Sequence, residues 1–110
     1  MDNRIYRTCL IEAYNYTDQD AYVSDLALSS IWEDESEEIP ADRIDWLRQI
    51  WKATHRTVKE ICKDAGMTQT AMADYFSVPQ RTFGNWCTGS RECPEYTKLM
   101  MQELLGLYRR

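Results

Sequence analysis

The tripeptide Ser77-Val78-Pro79 separates two short stretches of helical periodicity, and this break constrains the fold more than any other feature of the chain. Proline fits the first turn of a helix but cannot continue one, and it disfavours the α conformation at the residue before it. Upstream, Thr68 is a good N-cap, and Gly66 suits the left-handed close of a preceding helix. The spacing then predicts a helix through Phe76 that gathers Ala71, Met72, Tyr75 and Phe76 on one buried face, with Ala73 small enough for a close neighbour. Downstream, a helix starting at about Pro79 turns Phe83 and Trp86 inward, with Val78 as anchor, and leaves Gln80, Arg81 and Asn85 to water or a partner. Gly89 closes it.

A helix, a sharp turn and a second helix with a polar outer edge is the arrangement that places a recognition helix in the DNA major groove. Thr68-Gln69, Met72-Ala73, Phe76, Val78, Thr82-Phe83, Trp86, Gly89 and Pro94 fall at fixed offsets in this order. In this respect the stretch from Thr57 to Pro94 resembles the Xre-type, lambda-repressor-like helix-turn-helix family. Two positions depart from that pattern. Ser77 stands where the family usually has Gly, at a strain of roughly 1 kcal/mol if the left-handed turn is kept. Cys87 replaces the Glu that usually follows the Trp.

The resemblance implies an all-α domain that binds double-stranded DNA as a homodimer, its two recognition helices reaching half-sites about one helical turn apart. It also implies that Gln69 and Gln80 face the DNA and act together, since a glutamine amide both gives and takes hydrogen bonds at the adenine edge. Arg81 is then expected at guanine or a phosphate, and Thr82 at a thymine methyl or the backbone. Asn85, Lys63, Arg91 and Lys98 complete the expected set by positioning phosphates. The function expected on this basis is that of a small transcriptional repressor, or an antitoxin-like regulator of a phage or mobile element.

Charge argues in the other direction. The 110 residues carry a net charge of −5, whereas DNA binders rely on Lys and Arg to neutralise phosphates. The acidity is uneven: residues 1–56 hold 6 basic and 12 acidic side chains, and residues 57–110 hold 7 and 6. Glu33 to Glu38 is a charge run without an apolar member, read as a solvated connector or a mimic of phosphate that docks on a basic surface. The rival function is therefore an acidic protein-interaction module on the same scaffold, neutralising a toxin or inhibiting a nuclease.

Enzymatic function is not expected. His55 is the lone histidine and reads as a helix-end residue, and no nucleophile–base pair or Gly-rich phosphate loop occurs. Cys9, Cys62, Cys87 and Cys93 form no C-x-x-C, so no metal or cofactor is expected and reduced thiols are the plain reading. The opening residues lack a secretory signal and no apolar run approaches ~20 residues, so a cytoplasmic protein without a membrane span is expected.

The remaining elements are also expected to be helical. Arg4 to Tyr16 is one candidate helix, and a second, capped near Asp18, runs from Ala21 to Trp32 with Tyr22 and Leu26 inward. After Pro40, Ile44, Leu47, Trp51, Val58, Ile61, Cys62 and Ala65 trace one face. Thr57-x-x-Glu60 is a capping box, which predicts a break at His55 to Thr57. Trp46 and Ile50 lie off this stripe and are assigned to packing against the N-terminal arm or to a subunit contact. A last helix is expected from Glu95 to Tyr108, on Tyr96, Leu99, Met100, Leu104 and Leu107. The domain reading is an N-terminal helical arm with its acidic connector (1–38), followed by the helix-turn-helix domain (39–110, core 57–94).

Overall fold

The computed structural model describes residues 3–32 and 40–110. Every regular element among them is an α-helix, as the periodicity predicts: α1 (Asn3–Ala13), α2 (Gln19–Ala27), α3 (Ala41–His55), α4 (Val58–Ala65), α5 (Gln69–Tyr75), α6 (Gln80–Thr88) and α7 (Glu95–Leu104). They group into two compact units, Met1–His55 with Tyr108–Arg110 (unit 1) and Arg56–Leu107 (unit 2). The acidic run and the expected boundary at 38/39 lie outside the described residues, and α3 groups with α1 and α2.

In unit 1, α1 buries Tyr6, Cys9 and Ala13, a single stripe at threes and fours, and ends at Ala13 rather than Tyr16. Asp18 caps α2 as expected, its Oδ2 accepting from the Ala21 N–H at 3.0 Å. This helix stops at Ala27 instead of reaching Trp32, because Trp32 folds back and donates its indole N–H to the Leu26 carbonyl at 2.8 Å. That carbonyl lies in the last turn of α2 and also accepts from the Ser29 N–H at 3.2 Å.

The inward face of α3 is rotated from the expected stripe. Trp46, Leu47, Ile50, Ala53 and Thr54 are buried, while Ile44 and Trp51 are half-buried. Trp46 lies edge-on to Trp32 at 6.1 Å and tilted against Tyr6 at 6.3 Å, so contact with the N-terminal arm accounts for its position. Trp51 is drawn to the rim by its hydrogen bond to the Tyr16 carbonyl, 3.1 Å, and by stacking on His55 at 4.0 Å. The C-terminal residues belong to the same core: Tyr108 is buried with its hydroxyl 3.1 Å from that of Tyr6, and Trp46 donates to the Arg109 carbonyl at 3.0 Å.

Unit 2 begins at the expected break. Thr57 Oγ1 accepts from the Glu60 N–H and Glu60 Oε1 accepts from the Thr57 N–H, each at 3.1 Å, a complete capping box for α4. Its core joins Val58, Ile61, Cys62, Met72, Ala73, Phe83, Cys93 and Met101. Met72 and Phe83 are fully buried as expected, whereas Phe76 and Trp86 are half-buried against that core.

Two faces in unit 2 differ from the sequence reading. On α5 the inward residues are Met72 and Ala73, with Ala71 and Tyr75 exposed. On α7 they are Met101 and Gln102, which leaves Tyr96, Met100 and Leu104 as an exposed apolar row. This helix ends at Leu104, short of Tyr108, because Gly106 adopts φ +75°. An apolar periodicity reports that a face exists, but a helix carrying apolar residues on more than half its circumference does not say which part turns inward.

One closure recurs three times in unit 2. Gly66, Ser77 and Gly106 each adopt a left-handed conformation, and each is followed by an apolar residue whose N–H bonds five residues back: Met67 to Cys62, Val78 to Ala73 and Leu107 to Gln102, at 2.9–3.0 Å. The left-handed residue itself bonds three back, to Lys63, Asp74 and Glu103. This double bond pattern is the Schellman close of a helix, and the apolar residue after it characteristically packs inward. Met67, Val78 and Leu107 all pack on the unit 2 core.

Candidate nucleic-acid interface

The turn between α5 and α6 follows from that closure. Thr68 starts α5 by accepting from the Ala71 N–H at 3.1 Å, and Ser77 ends it at φ +57°, the one described non-glycine residue with positive φ. Val78 is thereby pinned to the core, and Pro79, at φ −54° and ψ 137°, directs the chain into α6. The Phe83 N–H bonds to the Pro79 carbonyl at 3.0 Å, so the helix winds directly from the proline. Phe83 is its buried anchor.

These constraints bring the first residues of α5 and α6 to the surface. Gln69 and Gln80 are the first residues of their helices, and both are exposed. Arg81 is exposed beside Gln80, and Thr82 and Asn85 are half-buried further along α6. The side chains of Gln69, Arg81, Thr82 and Asn85 make no hydrogen bond or ion pair among the described residues, so their polar ends are available to a ligand.

Gln80 is held by α5 through its amide nitrogen. Gln80 Nε2 donates to the Thr70 carbonyl at 3.2 Å and to Asp74 Oδ1 at 2.9 Å. Asp74 sits on the exposed side of α5, where its carboxylate both orients the glutamine and places a negative charge at this edge. Unit 2 as a whole holds six basic and six acidic residues.

The four residues assigned to phosphate positioning separate. Lys63 is exposed in the last turn of α4, and Arg91 is exposed in the loop after α6. Lys98 is tied up within the protein: Nζ donates to the Arg56 carbonyl and pairs with Glu95, each at 3.2 Å, with 13% of the side chain exposed. Gln102, fully buried on α7, completes this network by accepting from Arg56 Nη1 at 3.0 Å, while Arg56 Nε reaches Asp64 at 2.8 Å. A glutamine within an apolar stripe was the sequence signal for that buried network. Arg91 and Lys98 do line one surface cavity of about 380 Å³, together with Trp86, Glu92 and Cys93.

Cys87, at the position where the resemblance expects glutamate, is half-buried and packs against the unit 2 core to which Cys62 of α4 belongs. Burial pushes Cys62 up to about 11, with the neighbouring Cys87 a smaller cause. The cysteines are free thiols, and no His, Cys, Asp or Glu cluster able to hold a metal occurs among the described residues. No described helix is long and apolar enough to cross a membrane.

No protein-family model, curated protein or solved structure matches the chain.

Proposed function

We propose that this chain is a sequence-specific DNA-binding protein that reads the major groove with α6, in the manner of the lambda-repressor-like helix-turn-helix. The observation that carries this reading is the exposed polar edge formed where α5 and α6 begin. Gln69, Gln80 and Arg81 stand there on short helices anchored by Met72 and Phe83. Side chains at the start of a recognition helix reach base edges, and Arg81 has the guanidinium fork that matches guanine. Asn85, Lys63 and Arg91 supply flanking contacts, while Lys98 acts inside the protein through Arg56.

The role that fits is a transcriptional repressor or antitoxin-like regulator acting as a homodimer. A single small module contributes few contacts, and two copies double them on a two-fold symmetric site. The exposed row Tyr96, Met100 and Leu104 supports self-association, since apolar side chains aligned on one helix face gain by being covered.

Selection of bound duplexes from a random pool at near-physiological salt tests the assignment. The expected result is a defined site whose affinity falls by roughly 1–3 kcal/mol in Arg81→Ala, with preference relaxed at one position per half-site. Lys63→Ala and Arg91→Ala should weaken all sequences alike and lower the salt slope by about one each. Failure to select any duplex overturns the reading, and the net charge of −5 then favours the acidic protein-interaction module.

A further inference from the structure

The contacts of Gln80 decide which half of its amide can face a base. An amide nitrogen carries two N–H donors, and its oxygen only accepts. Gln80 Nε2 has two partners, the Thr70 carbonyl oxygen and Asp74 Oδ1, and both are acceptors. The nitrogen rather than the oxygen must therefore occupy this position, and both of its hydrogens are committed to α5. The group left for an outside partner is Oε1.

Resting on the DNA-reading assignment above, we propose that Gln80 reads its base through Oε1 alone, selecting adenine or cytosine by the exocyclic amine and rejecting guanine and thymine. In the major groove adenine offers its N6 amine beside the N7 acceptor, and cytosine offers its N4 amine. Guanine presents O6 and N7, and thymine presents O4. A bidentate glutamine–adenine contact needs an amide N–H for N7, and here none is left to give. A guanine or thymine edge would set acceptor against acceptor. The bond to Asp74 is charge-assisted and so stronger than a neutral one, which makes Asp74 the positioning residue that fixes this polarity.

Duplex selection with the wild-type chain, Gln80→Ala and Asp74→Ala tests the proposal. The position whose preference disappears in Gln80→Ala identifies the base that Gln80 reads. Adenine or cytosine is expected there, with guanine and thymine weaker by roughly 5- to 150-fold. Replacing that base by its analogue without the exocyclic amine should weaken binding by about tenfold. Where the base is adenine, 7-deazaadenine should leave affinity within about twofold, because N7 is not read. Asp74→Ala releases an N–H and should admit guanine or thymine at the same position, with an unchanged melting temperature separating this from a folding defect.

Guanine or thymine selected by the wild type, a tenfold loss with 7-deazaadenine, an unaltered preference in Asp74→Ala, or no position that depends on Gln80 would each overturn acceptor-only reading while leaving DNA binding intact. If no duplex is selected, both assignments fall.

Discussion

In unit 1, aromatic side chains reach main-chain carbonyls far along the sequence, whereas in unit 2 most helix ends are set by caps built from residues three to five positions apart, with one long-range polar network joining Arg56, Lys98 and Gln102. In unit 1, Tyr22 reaches the Cys9 carbonyl at 2.8 Å, Trp51 that of Tyr16 and Trp46 that of Arg109. In unit 2, Thr57, Thr68, Gly66, Ser77 and Gly106 settle helix ends locally. An aromatic residue of this kind supplies apolar contact and satisfies a carbonyl at once, so one substitution removes both. A cap fixes one end of one helix and leaves the packing to others.

The largest effects should come from the centres of the two cores. Phe83→Ala in unit 2 and Trp46→Ala in unit 1 should each lower stability by about 3–5 kcal/mol in denaturant titration. Trp46→Phe, which keeps a ring but loses the bond to Arg109, should recover most but not all of that loss. Full recovery would show that the indole N–H contributes nothing, and the contrast between the units would then reduce to packing.

Alkaline solution sharpens the comparison next. Burial pushes Cys9 of unit 1 up to about 12, and Cys62 and Cys93 of unit 2 up to about 11, from an ordinary 9.0. Each folded-state value lies above the unfolded one, so the unfolded chain loses its protons first. The contribution of each thiol is therefore fully present below about pH 9 and is lost between pH 9 and 11 or 12. Stability should fall over that window, and Cys9→Ala should flatten its upper part.

Single caps should matter less than core residues. Thr57→Ala should cost ~1 kcal/mol, and a peptide spanning residues 56–67 should show the same loss as reduced helicity, because both partners of the capping box lie within it. Tyr22→Phe should cost a similar ~1 kcal/mol in the whole protein. A peptide of residues 3–16 contains the Cys9 carbonyl but not Tyr22, so this bond, unlike the capping box, has no counterpart in a short fragment. The smallest effect should carry the opposite sign. Ser77→Gly relieves a left-handed serine and should raise stability by a few tenths to about 1 kcal/mol, with a lower melting temperature counting against strain at this turn.

This contrast also explains what the sequence discloses. The break at His55 to Thr57, the Thr68 cap, the start of α6 at Pro79 and its close at Gly89 rest on chemistry confined to a few residues, so a linear reading finds them. Trp46 could not be placed inside unit 1 this way, because its acceptor lies 63 residues on. Lys98 reads as a free surface cation until Arg56, 42 residues earlier, supplies its carbonyl. Tyr75 and Tyr96 satisfy the helical spacing equally well from the exposed side. At the candidate interface, the surface positions of Gln69, Gln80 and Arg81 follow from the turn. The contact between Gln80 and Asp74 depends on how α5 and α6 meet, which spacing alone does not specify.

Unit 1 is written in two pieces with all of unit 2 between them. A ribosome adding about 5–20 residues per second needs roughly 3–13 s to travel from Trp46 to its acceptor at Arg109, 63 residues later. Through that interval the indole N–H of Trp46 and the hydroxyl of Tyr6 exist without the C-terminal partners they hold in the finished chain. A nascent chain halted just before Tyr108 contains every residue of unit 2, yet unit 1, begun first, is completed last.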